Sequence, residues 1–363
     1  MSEPGGTDDS TAANLQAEDI HAPNDQQAVT PIAEPGRRRK GGRGEKSMVP
    51  EATFTSYYGR PVVRPSPWEA DIPAYLFLGG LAGGSSLLAA GADLTRRPEL
   101  RRSARTTALV AVSLSAVVLI HDLGRPERFH HMLRVAKVTS PMSVGTWILT
   151  AYGPMAGIAA ITEARPLLPT SVRNSLLGRS LPFIGRSTGV LAALVAPALA
   201  SYTAVLLTDT ATPTWHDAKS HLPFVFVGSA AAASGGMGMV SAPLAQSGPA
   251  QRLAVAGAAL DLLVAHQMEQ SMGLTAEPLH QGLAGKYMRA AQVLTAAGGG
   301  LAALAGRRSR AAAVVSGAAL MAGSFCTRFG VFHAGQQSAR DPRYTVEPQR
   351  ARVDTGKPVR FEG

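Results

Sequence analysis

Cysteine is nearly absent from this chain. Cys326 stands alone among 363 residues, so an internal disulfide cannot form. A protein-held iron–sulfur cluster takes about four thiolates and has no ligand set here. Metal-ligand spacing of the His-x-x-Glu-His kind does not occur either, and no metal is expected in this chain. If the protein handles electrons, the metal centres that carry them belong to another chain. The apolar stretch of a secretory signal peptide is also missing, since the first residues are polar and acidic. The first spanning helix is therefore expected to direct insertion itself.

Charge is scarce and unevenly placed. Asp, Glu, Lys and Arg make up 17% of the residues, yet the net charge is +10 and the pI about 10.2. In a water-soluble chain that balance points first to nucleic acid. Here the basic residues gather between apolar blocks, in Arg96-Arg97, Arg101-Arg102 and Arg307-Arg308. Loop anchoring against anionic membrane lipid accounts for them better, and no nucleic-acid partner is expected. The mean hydropathy of +0.06 conceals two compositions. Residues 1–70 are polar and include Arg37-Arg38-Arg39-Lys40. They offer too little apolar surface to offset ordering entropy and read as a disordered tail with a pre-membrane segment. Residues 71–335 are rich in Ala, Gly, Leu and Val, and residues 336–363 form a second polar tail.

Within the apolar region eight blocks stand out, at about 73–94, 104–123, 143–162, 188–207, 222–244, 251–270, 290–305 and 311–332. Each approaches the length a helix needs to cross about 30 Å of hydrocarbon. The predicted fold is all-α, a polytopic membrane protein with eight transmembrane helices. Glycine pairs such as Gly79-Gly80, Gly83-Gly84 and Gly235-Gly236 lie inside the blocks, and small residues let helices approach closely in lipid. A faint repeat, with glycine pairs in blocks one and five and histidine with a carboxylate in blocks two and six, suggests two four-helix bundles. An even number of crossings puts both termini on one side.

Polar chemistry concentrates at one end of such a bundle. That end receives Glu69, Asp71 and Tyr75, then His121 and Asp122, then Trp215 and His216, then His266 and Glu269, and finally Arg328 and His333. Ionisable groups inside a membrane face the bundle interior or a wet cavity. Asp261, mid-block, is either an interhelical hydrogen-bond partner or part of a proton relay. Tyr202 is either a packed ring or a proton donor. His121-Asp122 is either an interfacial cap or the imidazole–carboxylate pair that a quinone headgroup needs, because quinone reduction requires two protons delivered to two oxygens. Arg125 and Arg128 either stabilise negative charge developing on a quinone or pair with Glu127 and lipid phosphate. His121, His266 and His333 leave a haem-b anchor open as well.

The run His121-Asp122-Leu123-Gly124-Arg125-Pro126-Glu127-Arg128-Phe129, followed by Ser140-Pro141-Met142-Ser143-Val144-Gly145, closely resembles the NrfD/polysulfide-reductase membrane-subunit family. So do Ser201-Tyr202-Thr203-Ala204-Val205-Leu206-Leu207 with Pro213-Thr214-Trp215, and Arg328-Phe329-Gly330-Val331-Phe332-His333-Ala334-Gly335 with Ser338-Ala339-Arg340-Asp341-Pro342. The resemblance implies two four-helix bundles without haem, binding menaquinone or ubiquinone near the face that docks a four-cluster, ferredoxin-like iron–sulfur subunit. That subunit would connect to a molybdopterin catalytic subunit acting on polysulfide, tetrathionate, formate or similar substrates. His121, Asp122, Arg125, Tyr202 and, more weakly matched, Tyr75 are then expected at the quinone. Asp261, Glu269 and Arg328 are expected in proton transfer, and Arg128, Trp215 and His216 at the partner interface.

A transporter or proton channel is the reading from another class, although no pair of broken helices lines up at mid-membrane. Sidedness is finely balanced, because Lys and Arg divide almost evenly between the two sets of loops. The basic N-terminal tail tips the expectation toward cytoplasmic termini in a bacterial plasma membrane.

Overall fold

The computed structural model describes residues 61–122 and 126–354. The N-terminal tail through residue 60 and Arg125 lie outside the described residues, as does the side chain of Arg128. The helices are α1 (Asp71–Leu94), α2 (Pro98–Asp122), α3 (Pro141–Ile161), α4 (Thr170–Asn174), α5 (Leu176–Thr208), α6 (Pro213–Asp217), α7 (Leu222–Ser241), α8 (Gly248–Met272), α9 (Gly282–Ala305), α10 (Arg310–Arg340) and α11 (Arg343–Asp354). A 3₁₀ segment, Pro126–Leu133, connects α2 to α3. Among the described residues there is no strand.

Six helices, α1, α2, α3, α5, α7 and α10, are long and apolar enough to cross a membrane. Helices α8 and α9 match them in length, at 25 and 24 residues. They carry more polar side chains, Gln251, Asp261, His266, Gln267 and Glu269 on α8 and Lys286, Arg289 and Gln292 on α9, which lowers their hydropathy. In lipid the backbone must satisfy its own hydrogen bonds, so spanning segments built from these compositions become helices. Serine caps mark three starts: Ser140 accepts from the Ser143 N–H at 3.5 Å, Ser175 from Gly178 at 3.2 Å and Ser309 from Ala312 at 3.4 Å.

Helix α1 packs on α2, α5 and α7, and α3 packs on α5 and α2. Helix α7 packs on α8 and α10, and α9 on α10 and α8. The apolar stretch of α1 is 78% buried and that of α3 only 22%, so α1 is central and α3 presents most of its surface outward. Helices meet through small residues. A methyl placed on Gly84 would lie 2.9 Å from the Ala230 carbonyl oxygen, and one on Gly236 2.7 Å from that of Gly317.

The bundle has two ends. One holds the start of α1 and the end of α2, here the Asp71 end. The other holds the turn between them, here the Arg101 end. Arg101 differs from the loop-anchor expectation, because it lies inside α2 and, like Arg105 one turn on, points at carboxylates. Arg101 donates to Asp93 at 2.9 Å and to Glu163 at 2.7 Å, Arg105 to Glu163 at 2.8 Å, and Arg186 to Asp93 at 2.8 Å. Arg101 and Arg186 thus lie in helical turns that precede the apolar blocks at 104 and 188, with their charge met by carboxylates. The charges that read as loop are neutralised against the neighbouring helix.

Close helix contact yields a direct test. Gly236→Ala should lower the thermal unfolding midpoint in detergent, corresponding to about 1–3 kcal/mol of overpacking. Gly91→Ala, where a methyl meets nothing within 4 Å, should leave it unchanged or raise it. Equal effects of the two substitutions would count against backbone-to-backbone packing.

Candidate functional site

At the Asp71 end, α1 and α2 bring a carboxylate to an imidazole. His121 Nδ1 lies 2.7 Å from Asp71 Oδ2. The His121 side chain is 79% exposed and that of Asp71 only 35%, so the carboxylate holds an imidazole that faces water. This contact uses Nδ1 and leaves Nε2 for another partner. Asp122 is half-buried beside them and Glu69 is exposed. Tyr75, one turn into α1, is buried, and its carbonyl accepts from Ser115 Oγ at 3.4 Å.

Tyr202 reaches the same end from α5. Its ring is pressed against Gly145 of α3, where a methyl would overlap the ring carbons. Its hydroxyl is buried and has no hydrogen-bond partner among the described residues. A buried, unmade hydroxyl bond costs about 1–3 kcal/mol. Tyr202 and Tyr75 share one apolar core. No hydrogen bond joins Tyr202 to His121 or Asp122: the structure brings His121 to Asp71 and places Tyr202 separately.

Deeper in, α1, α7, α8 and α10 enclose Arg328. This side chain is fully buried. Its Nη2 donates to the Phe226 carbonyl at 2.9 Å and its guanidinium sits 3.9 Å from the centre of the Phe226 ring. Its Nε and Nη1 have no hydrogen-bond partner among the described residues. A methyl on Gly80 would lie 3.2 Å from Nη2, so glycine makes the room for this group. Asp261 of α8 is buried at 4% exposure and is the opposite charge that Arg328 feels. The two are not in ion-pair contact. Ser229 Oγ donates to Ser324 Oγ at 2.9 Å, one turn before Arg328.

Glu269 stands elsewhere, at the end of α8. Gln292 donates to it at 3.2 Å and His280 Nε2 is 3.6 Å away. His280 was not anticipated from sequence, because it lies in a loop without a motif. The expected docking residues divide. Trp215 is wholly buried, stacked on Trp68 at 6.1 Å, and donates its indole N–H to the Val331 carbonyl at 2.8 Å. Its ring therefore braces α6 against α10 and does not reach the surface. His216 beside it is exposed, as are Phe129, His130 and His131 of the 3₁₀ segment that contains Arg128. Among the described residues no three His, Cys, Asp or Glu cluster as a metal site would require.

A family model described as "Polysulphide reductase, NrfD" matches residues 62–276. Comparison with curated proteins finds no match. The matched stretch contains Asp71, His121, Asp122, Tyr202, Asp261 and Glu269 and stops before Arg328.

Single and double substitutions test whether the two buried charges interact. Asp261→Asn should leave Arg328 without its counter-charge and lower stability by about 3–5 kcal/mol. Adding Arg328→Met should recover much of that loss, as read from unfolding midpoints of the single and double variants. Simply additive losses would show that the two groups do not interact.

Proposed function

This chain belongs to the NrfD, polysulphide reductase family, and from that premise we propose that it is the membrane subunit of a molybdopterin oxidoreductase complex, exchanging electrons between a quinone pool and an iron–sulfur partner. In this reading all eight long helices cross the membrane, as two four-helix bundles, α1, α2, α3 and α5 in one and α7, α8, α9 and α10 in the other. The helix contacts support that grouping, and so do the lengths of α8 and α9.

The observation that carries the proposal is the buried, unpartnered hydroxyl of Tyr202 in the family-matched region. A quinone carbonyl is the acceptor that this donor lacks, so the residues present fit menaquinone or ubiquinone. Quinone, when bound, supplies two-electron, two-proton chemistry at its carbonyl oxygens. Tyr202 orients the headgroup by donating its phenolic hydrogen. Tyr75 and the apolar core around it exclude water. His121, oriented by Asp71, exchanges protons with solvent, and Asp122 beside it holds a proton at its carboxylate. Asp261, Glu269 and Arg328 place charge and proton-carrying groups further along the bundle. Arg125 is proposed at the quinone and Arg128 at the partner interface.

The partner is proposed to dock at the Asp71 end, on His216 and the exposed 3₁₀ segment. It is a ferredoxin-like iron–sulfur subunit with four clusters, attached to a molybdopterin subunit whose substrate is polysulfide-like or formate-like. The location proposed is a bacterial plasma membrane with cytoplasmic termini, supported by the basic run Arg37-Arg38-Arg39-Lys40.

Tyr202→Phe should preserve assembly and stability, since the hydroxyl has no bond to lose. It should slow quinone-coupled turnover of the complex by about 10²-fold, while turnover with an artificial dye acting on the partner stays normal. Unchanged quinone kinetics would overturn the assignment. A fluorescent protein fused after Gly363 should be bright, and alkaline phosphatase at the same position should be inactive. Active phosphatase would reverse the orientation.

A further inference from the structure

A groove runs along the outer surface at the Arg101 end, away from Tyr202. Its volume is about 470 Å³, within the range of small-molecule sites. Leu78 and Leu81 of α1, Val110 and Leu114 of α2 and Met237 of α7 line its length. From Glu99 to Leu114 it follows roughly 22 Å of α2, by the helical rise. That is longer than one hydrocarbon leaflet of about 15 Å. Ser103 and Ser241, hydrogen-bonded to each other across α2 and α7, lie in the wall near one end, with Thr106 close by.

That end carries one anion and one cation. Glu99 and Arg102 both line the groove and both are exposed. They lie three residues apart on α2, yet among the described residues neither takes part in an ion pair. This contrasts with Arg101, the neighbour of Arg102, which is held by two carboxylates. Glu99 is fixed in place by its backbone, whose N–H donates to Gln246 Oε1 at 2.9 Å. The groove therefore offers an apolar channel of acyl-chain proportions, ending in hydroxyls and then in two unpaired opposite charges.

We propose that this groove holds one zwitterionic phospholipid of the phosphatidylethanolamine class. One acyl chain lies along Leu78, Val110 and Leu114, the ester region lies over Ser103 and Thr106, the phosphate meets Arg102 and the ammonium meets Glu99. A quinone has no charged head and would leave both charges unmatched. An anionic lipid such as phosphatidylglycerol would satisfy Arg102 and leave Glu99 against its phosphate.

Native mass spectrometry of the full chain, extracted in mild detergent and exchanged into a one-to-one mixture of phosphatidylethanolamine and phosphatidylglycerol, tests this. The wild type should keep one phosphatidylethanolamine per chain. Glu99→Gln and Arg102→Gln, both on exposed side chains, should each lower its retention at least about threefold, the scale of an exposed ion pair. Val110→Trp, which fills the groove from an exposed position, should abolish retention, with unfolding midpoints reporting that each variant is folded. Preference for phosphatidylglycerol, retention indifferent to Glu99→Gln, retention of quinone instead of phospholipid, or no retained lipid would each overturn the proposal.

Discussion

Where α1 crosses α7, and α7 crosses α10, the helices touch backbone to backbone at Gly84 and Gly236, with no room for a methyl. Between helices in lipid there is no hydrophobic drive, because acyl chains are as apolar as leucine. Association rests on dispersion, which falls off steeply with distance, and on interhelical hydrogen bonds. Close approach is therefore the condition for the bundle to hold. The candidate functional groups use the same condition. Tyr202 lies on Gly145, Arg328 lies against Gly80, and Asp261 is backed by Gly228. Tyr202 and Arg328 occupy space that a missing Cβ leaves open, and at Gly228 the missing Cβ lets the backbone of α8 at Asp261 approach α7.

The Arg101 end and the interior of the bundle treat charge in opposite ways. At the Arg101 end, Asp93, Arg101, Arg105, Glu163 and Arg186 form a network in which each carboxylate serves two arginines. It ties α1, α2 and α5 to the segment after α3. In the interior, among the described residues, Arg328 has two nitrogens without hydrogen-bond partners and Asp261 is buried without a contacting cation. Leaving a buried charge incompletely paired is expensive, and membrane proteins retain such groups chiefly where they act on protons or ligands. The saturated network clamps helices together, whereas the interior pair keeps hydrogen-bonding capacity unused among the described residues.

The helical class and the approximate places of all eight long helices were legible in the sequence, because apolar blocks of spanning length are a strong pattern. Their starts were less so. Lys286 and Arg289 hid the first turns of α9, and Arg179 and Arg186 hid those of α5, since a charge reads as loop until its partner is known. Likewise α10 continues past Phe332 to Arg340, where Gln336 donates to the carbonyl of Ser66 at 2.9 Å. For the site, the His121–Phe129 and Tyr202 motifs carried the family resemblance and lie inside the matched residues 62–276, and the buried position of Asp261 agrees with its place mid-block. The His121–Asp71 pairing, the orphan hydroxyl of Tyr202 and the burial of Trp215 depend on contacts between distant segments, which a linear pattern does not encode. Trp215 shows the difficulty well: tryptophan beside histidine in a polar loop resembles an interface, and only the fold reveals Trp68 stacked upon it.

The turn between α1 and α2 meets the turn between α7 and α8. Arg97 donates to the Ala245 carbonyl at 2.7 Å, and Gln246 accepts from the N–H of Glu99 at 2.9 Å. The partners are separated by 148 and 147 residues of chain. During synthesis the first hairpin enters the bilayer long before residues 245 and 246 leave the ribosome. Its turn waits in the headgroup layer with these groups hydrated, while α3 and α5 insert. In the two-stage order of membrane folding, in which helices form singly and then associate, this contact closes late and joins the early hairpin to the later one. A ribosome that pauses before the second hairpin emerges leaves the first without that fastening. The later half of the chain thus completes the hydrogen bonding of the earlier one.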